Sequence, residues 1–223
     1  NLTIAGGCGM NSVANGKVLL KTPFKKIYVQ AAAGDAGGAI GAALTTWHRF
    51  GGKMAKHRSI PHNHAYFGPS FQDSYIKSLL KKKKKRISNE NCVIENYSNF
   101  SEITQKTAAE IAKGKVIGWF QGRMEWGPRA LGNRSILCDP RRSDIKDILN
   151  SKIKRRESFR PFAPSILREK VSEWFEQDDD VPFMMQVYQI KKEKREKIPA
   201  VTHIDGSGRL QTVDKKPIQD III

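Results

Sequence analysis

Ile27-Tyr-Val-Gln-Ala-Ala-Ala-Gly-Asp-Ala-Gly-Gly-Ala39 sets the architecture of the first part of the chain. Its β-branched and aromatic start predicts a strand over Ile27–Gln30, and the Gly34–Gly38 stretch predicts a turn. The small-residue run from Ala39 to His48 predicts a helix. The same order occurs upstream. Leu2–Ala5 is a short apolar strand ending at Gly6-Gly7, and a helix is expected from Asn11 to about Leu20. Strand, glycine turn and helix, given twice, are an α/β signature.

Further along, Glu102–Ala112 has helical spacing and stops at Lys113-Gly114, a good C-terminal signal. A strand over Val116–Phe120 enters Gln121-Gly122-Arg123. Asp144–Ile153 and Ser165–Phe175 read as helices, and Phe183–Ile190 alternates as a strand. This unit is also mixed α/β. Residues 81–100 between the two are polar, basic and rich in Asn and Ser. The sequence therefore divides into an α/β unit over 1–80, a basic polar linker over 81–100 and a second α/β unit over 101–223, without an internal repeat.

The 223 residues are 39% hydrophobic and 27% charged, which suits a globular protein and excludes collagen-like or wholly disordered composition. Cys8, Cys92 and Cys138 have no CxxC spacing and fit reduced thiols in a cytoplasmic protein. The apolar runs fall well short of the roughly 20 residues of a bilayer span, and the N-terminus has no basic segment of a signal peptide. Asn1 begins as if within a fold and Asp220–Ile223 reads as a strand cut short, so a fragment is expected. The net charge of +17 favours anionic partners: nucleic acid, acidic lipid or phosphorylated small molecules. Lys81–Lys85 with Arg86 supply a third of that excess and read as an exposed linker.

Both glycine turns let backbone N–H groups approach phosphate oxygens at a helix N-terminus. Tight packing explains such glycines equally well, and neither turn is a Walker loop. Asp35, between Gly34 and Gly37, reads either as a metal-holding carboxylate or as a helix N-cap. His62-Asn63-His64 reads as a polar loop, because two histidines at i and i+2 lack a third ligand. The strongest signal is Gln121-Gly-Arg-Met-Glu-Trp-Gly-Pro-Arg-Ala-Leu-Gly-Asn-Arg-Ser135. Lys152, Lys154, Arg155, Arg156 and Arg160 follow, and then the wall Phe159-Arg-Pro-Phe-Ala-Pro164. Thr202-His-Ile-Asp-Gly-Ser-Gly-Arg-Leu-Gln211 adds hydroxyl, imidazole and guanidinium groups to a turn. Guanidinium forks bind phosphate or carboxylate bidentately, so arginines set among Gly and Pro suit a site for anionic reactants.

These three motifs resemble the C-terminal, YrdC-like domain of the NodU/CmcH family of O-carbamoyltransferases. The two glycine turns resemble the end of that family's N-terminal domain, of actin/sugar-kinase-type ATPase fold. The resemblance implies an α/β chain that joins the tail of an ATPase-fold domain to a YrdC-like domain. The implied reaction activates carbamoyl phosphate with ATP as carbamoyl-adenylate and passes the carbamoyl group to a hydroxyl of a sugar or natural product. It assigns carbamoyl phosphate to Arg129, Lys154 and Arg160, with Ser207 and Arg209 as helpers, and the nucleotide side to Arg123, Asn133 and Arg134. Gly6, Gly7, Asn11 and Gly38 match the family's nucleotide-binding turns. Asp35 matches an aspartate ligand of a divalent metal, typically iron. The family's paired metal-binding histidines lie in an earlier half absent from this sequence, so the metal and the transfer site require that missing N-terminal half as a partner.

The competing reading is a YrdC-like RNA-binding or tRNA-modification module, with salt-sensitive binding and exposed aromatics as its marks. Phe120, Trp126, Phe159 and Phe162 read instead as wall or core, which disfavours nucleic acid. No membrane partner is expected.

Overall fold

Leu2–Ile4 (β1) and Ile27–Val29 (β2) pair in parallel, with Leu2 opposite Ile27 and Ile4 opposite Val29. The computed structural model that shows this pairing describes residues 1–52 and 64–214. Between the strands runs helix α1, Ser12–Lys21. Its start is fixed by Asn11, whose Oδ1 accepts from the Ala14 N–H at 3.1 Å. Helix α2, Asp35–Arg49, follows β2. It begins earlier than the residue run suggests: Gly34 is the cap, and Asp35 already lies in the first turn. Position 37 requires glycine, because a Cβ there would stand 2.2 Å from the Ala32 carbonyl oxygen.

Two compact units emerge, neither continuous in sequence. The first comprises residues 1–65, 126–131 and 140–223. Within it α1 lies tightly on the chain around Val187. A Cβ on Gly16 would stand 2.1 Å from the Val187 carbonyl oxygen. The buried Asn15 amide donates to the Gly9 and Met185 carbonyls at 2.8 and 3.0 Å. One core of this unit joins Val29, Ala31, Ala33, Ala65, Leu131, Phe183 and Met185. Another is built on Val171, Phe175, Val181, Tyr188, Ile190 and Leu210, each side chain worth about 2 kcal/mol of burial.

Three expectations are corrected here. Ser165–Phe175 is not one helix. Ser165–Leu167 (β3) pairs in parallel with Gln211–Val213 (β6), a 3-10 turn covers Arg168–Lys170, and only Val171–Trp174 (α4) is α-helical. The distant strand offers β3 the backbone partners that a local helix would have supplied. Phe183–Ile190 alternates in burial, but only Tyr188–Gln189 (β4) is a strand, antiparallel to Ser207–Gly208 (β5). Met184, with φ at 55°, takes the chain out of the extended region. Asp144–Ile153 forms a short helix Ile145–Ile148 (α3) that widens into a π-turn over Leu149–Lys154 and stops at Arg155, with φ at 49°.

The second unit comprises residues 66–125 and 132–139. Its helices are α5 (Asp73–Lys82), α6 (Lys84–Asn89) and α7 (Phe100–Ala112). Ile117–Phe120 (β7) pairs antiparallel with Arg134–Leu137 (β8). Asn99 caps α7, accepting from the Glu102 N–H at 2.8 Å, and Gly114 ends it with φ at 86°. The basic run expected as a linker is exposed but helical: Lys81 and Lys82 close α5, and Lys84–Arg86 open α6. Lysine and arginine are good helix formers, which the charge run by itself concealed. Among the described residues no helix is long and apolar enough to cross a membrane.

Candidate anion-binding site

Arg129 reaches its place because the segment Trp126–Leu131 is stitched to the first unit. The Trp126 N–H donates to Ala65 at 2.6 Å. Gly127, with φ at +126°, runs so close to Ala31 that a Cβ would stand 2.7 Å from its carbonyl oxygen. The partly buried Arg129 donates one Nη2 bond, 3.3 Å, to the Met10 carbonyl, while its buried Nε has no partner among the described residues. Burial lowers its affinity for a proton.

The charge of Arg129 acts on Arg209. Burial, and then the positive charges of Arg129 and Arg156, push its pKa down to about 10. Its Nε too is buried without a partner among the described residues. Arg156 completes the group. Asn150, wholly buried, accepts from Arg156 Nε at 2.7 Å and donates to the Ser158 and Arg160 carbonyls at 3.1 and 3.0 Å. The Arg156 guanidinium also covers the Phe162 ring, 4.8 Å from its centroid. Partly desolvated cations with unused N–H groups form a receptor for an anion rich in oxygen.

Beside Arg209 a turn closes through the His203 N–H to Ser207 carbonyl bond, 2.7 Å, with Gly206 at φ +78°. The buried Ser207 hydroxyl donates to Asp205 Oδ1 at 2.6 Å and meets His203 Nδ1 at 3.0 Å. The Asp205 carboxyl is held below its usual range, first by the Ser207 hydroxyl. Burial lowers the His203 pKa, with Arg209 and Lys146 acting in the same direction and Asp205 against it.

The structure thus brings together Arg129, Ser207 and Arg209 from the candidates read in the sequence, and adds Arg156, His203 and Lys146. Lys154 is exposed at the end of the π-turn, without a partner among the described residues. Arg160 is exposed and ion-pairs with Glu157 at 2.8 Å. The left-handed Arg155 turns Arg156, and not Lys154, onto Asn150, a reversal no spacing rule announces. In the second unit, Arg123 donates to the Gly68 carbonyl at 3.0 Å, and Asn133 donates to the Arg123 carbonyl at 2.6 Å. The Glu125 carboxylate accepts the backbone N–H groups of Asn133 and Arg134 at 2.7 and 3.2 Å, so this loop is braced by its own polar groups. The Arg134 side chain is exposed.

Gly6 has φ at 89° and donates its N–H to Ala33 at 2.6 Å, Gly7 opens a 3-10 turn, and Gly38 lies inside α2. Asn11 acts as a helix cap. Asp35 is exposed in the first turn of α2, and among the described residues no three His, Cys, Asp or Glu side chains gather to hold a metal. The described residues alone therefore do not fit a metal centre. His64 is partly buried, whereas His62 and Asn63 lie outside the described residues. An open groove of about 620 Å³ along α2, lined by Trp47, Phe50 and small residues, has no charged lining side chain and does not suit an anion. The expectation that the four aromatics are wall or core holds only for Phe162, which packs on the core. Phe120, Trp126 and Phe159 are exposed, Phe159 by 74%. Phe159 sits in the Glu157–Arg160 turn, closed by a 3.2 Å backbone bond, which leaves its ring outside.

The fold is mixed α/β, and the buried Nε atoms of Arg129 and Arg209 are left without a partner among the described residues. Comparison with known proteins gives the family. Residues 108–222 match the model of the carbamoyltransferase C-terminus, and residues 1–44 match that of the carbamoyltransferase N-terminus. The chain is 43% identical over 218 residues to nodulation protein NolO of Bradyrhizobium diazoefficiens, covering 96% of this chain and 38% of that protein. It is also 43% identical over 237 residues to an uncharacterized protein of Synechocystis, covering 96% of this chain and 37% of the relative. Nodulation protein U of Rhizobium fredii is 36% identical over 216 residues, with 96% and 33% covered. The chain belongs to the carbamoyltransferase family, and it spans roughly a third of the length of these relatives.

Proposed function

We propose that this chain forms the donor-activating part of an ATP-dependent O-carbamoyltransferase, in which Arg129, Arg156 and Arg209 hold carbamoyl phosphate. The observation that carries the reading is the pair of buried Nε atoms of Arg129 and Arg209, unpartnered among the described residues, with the charges of Arg129 and Arg156 both acting on Arg209. In the reaction proposed, one water is consumed and carbamoyl phosphate releases inorganic phosphate. The carbamate oxygen bonds to the α-phosphorus of ATP, and diphosphate leaves. The oxygen of an acceptor hydroxyl, on a sugar or natural product, then bonds to the carbamoyl carbon as AMP departs and the hydroxyl proton is lost. Fixed cations stabilise the charge that develops on the departing phosphate without reorganising.

Lys154 and Arg160, exposed beside this cluster in sequence, are proposed to close on the donor when it binds. Arg123, Asn133 and Arg134 are proposed for ATP. The proposed domain architecture is the tail of an actin/sugar-kinase-like domain (1–80), the basic segment 81–100 and a YrdC-like domain (101–223). A divalent metal at Asp35, with Gly6, Gly7, Asn11 and Gly38 toward nucleotide, is proposed to be completed by residues outside this chain, in the N-terminal half of the same enzyme.

Calorimetry with freshly dissolved carbamoyl phosphate tests the donor site. Arg209→Ala is expected to weaken binding by about 1.5–3 kcal/mol, the worth of a charge-assisted bond. An unchanged affinity removes Arg209 from the site. A second reading, RNA binding, is favoured by the exposed Phe159 ring in a basic stretch.

A further inference from the structure

Serine has one hydroxyl proton, and an ionised carboxylate only accepts. Ser207 Oγ lies 2.6 Å from Asp205 Oδ1, so that proton goes to Asp205. The same Oγ lies 3.0 Å from His203 Nδ1 and has only lone pairs left to offer there. The Nδ1 atom must therefore carry hydrogen and donate. A neutral imidazole protonated at Nδ1 presents a lone pair at Nε2. That Nε2 is buried and without a partner among the described residues. The turn thus fixes the tautomer of His203 and leaves one acceptor idle.

The chemistry of the neighbours gives this acceptor its meaning. Arg129, Arg156, Arg209 and Lys146 are all donors and can satisfy only the oxygens of a ligand. Arg209 follows the Ser207–Gly208 strand directly, and its positive charge acts on the His203 imidazole, so the guanidinium and the imidazole belong to one group. A ligand complementary to the whole group has phosphoryl oxygens for the cations and an N–H for Nε2. Carbamoyl phosphate has both. Acetyl phosphate has the same phosphoryl group and carbonyl, with a methyl in place of the amine.

We propose that His203 is a specificity-determining residue, whose Nε2 accepts a hydrogen bond from the carbamoyl NH₂ group and so selects carbamoyl over acyl phosphates, with Asp205 and Ser207 as positioning residues. This rests on the reading of the guanidinium cluster as the carbamoyl phosphate site.

The test is calorimetry of the whole 223-residue chain with inorganic, acetyl and carbamoyl phosphate. The wild type is expected to prefer carbamoyl over acetyl phosphate by about tenfold, the worth of one hydrogen bond to a buried acceptor. His203→Phe abolishes that preference and leaves inorganic phosphate binding within about twofold, whereas His203→Gln, which keeps an acceptor, retains most of the preference. A preference that survives in His203→Phe overturns the proposal while the anion site stands. An equal loss for all three ligands in that variant also overturns it, because the imidazole then acts on the phosphoryl group. If the wild type binds none of them, the underlying reading of the cluster fails. Nitrogen NMR of the wild-type imidazole needs no variant to fold: protonation at Nδ1 is expected, and protonation at Nε2 overturns the proposal.

Discussion

Arg209, His203 and Asp205 carry protonation equilibria that folding has moved, and the signs agree. Burial lowers the pKa of His203 below its ordinary 6.5, so the unfolded chain binds more protons between the lowered value and 6.5, and stability rises with pH across that window. The Asp205 carboxyl is lowered from 3.8, first by Ser207, and the stability it contributes is lost as pH falls through its lowered value. Arg209, lowered from the ordinary arginine range to about 10 by burial and its cationic neighbours, disfavours the fold in full below that value, and the cost is relieved only as pH rises above it. Acidification therefore destabilises the site twice over. The urea midpoint of the wild type is expected to fall between about pH 7.5 and about pH 5.5, and to fall less in His203→Gln. An equal fall in both places the acid sensitivity elsewhere.

At the scale of elements, the π-turn Leu149–Lys154 and the loop after it form one device. Widening the helix sets Asn150 inward, and its amide holds Arg156 and the carbonyls of Ser158 and Arg160. Asn150→Ala would leave these partly buried polar groups without their partner and cost about 2 kcal/mol. Denaturant titration reads that loss. Calorimetry is expected to show weaker phosphate binding in parallel, since Arg156 loses the bond that aims it. A loss of stability without a loss of phosphate affinity would separate Arg156 from the site.

The whole molecule carries a net charge of +17, and this decides between the two functional readings by ionic strength. An extended RNA displaces many counterions, so its affinity should drop by orders of magnitude between about 50 and 200 mM salt, whereas a small phosphorylated donor should lose far less. Filter binding with single-stranded RNA at both salt concentrations is expected to show only weak retention that vanishes at the higher one. Tight retention that persists at about 200 mM would favour the RNA reading, with Phe159→Ala as the stacking control.

The residue order was sufficient wherever a structural decision is taken within about four residues, because the hydrogen bonds that decide it are local. The β1–α1–β2–α2 succession, the Gly114 stop and the concentration of arginines in Gly- and Pro-bearing turns are all of that kind. The residues near 165 and 211 instead found each other across the chain, and that pairing replaced a helix with a strand. The left-handed bend at Arg155 chose Arg156 over Lys154, and the folding of Ser207 against Asp205 gave His203 its tautomer. Only three-dimensional packing could make those choices, because each depends on which buried polar atom is left to be satisfied after the backbone has closed around it.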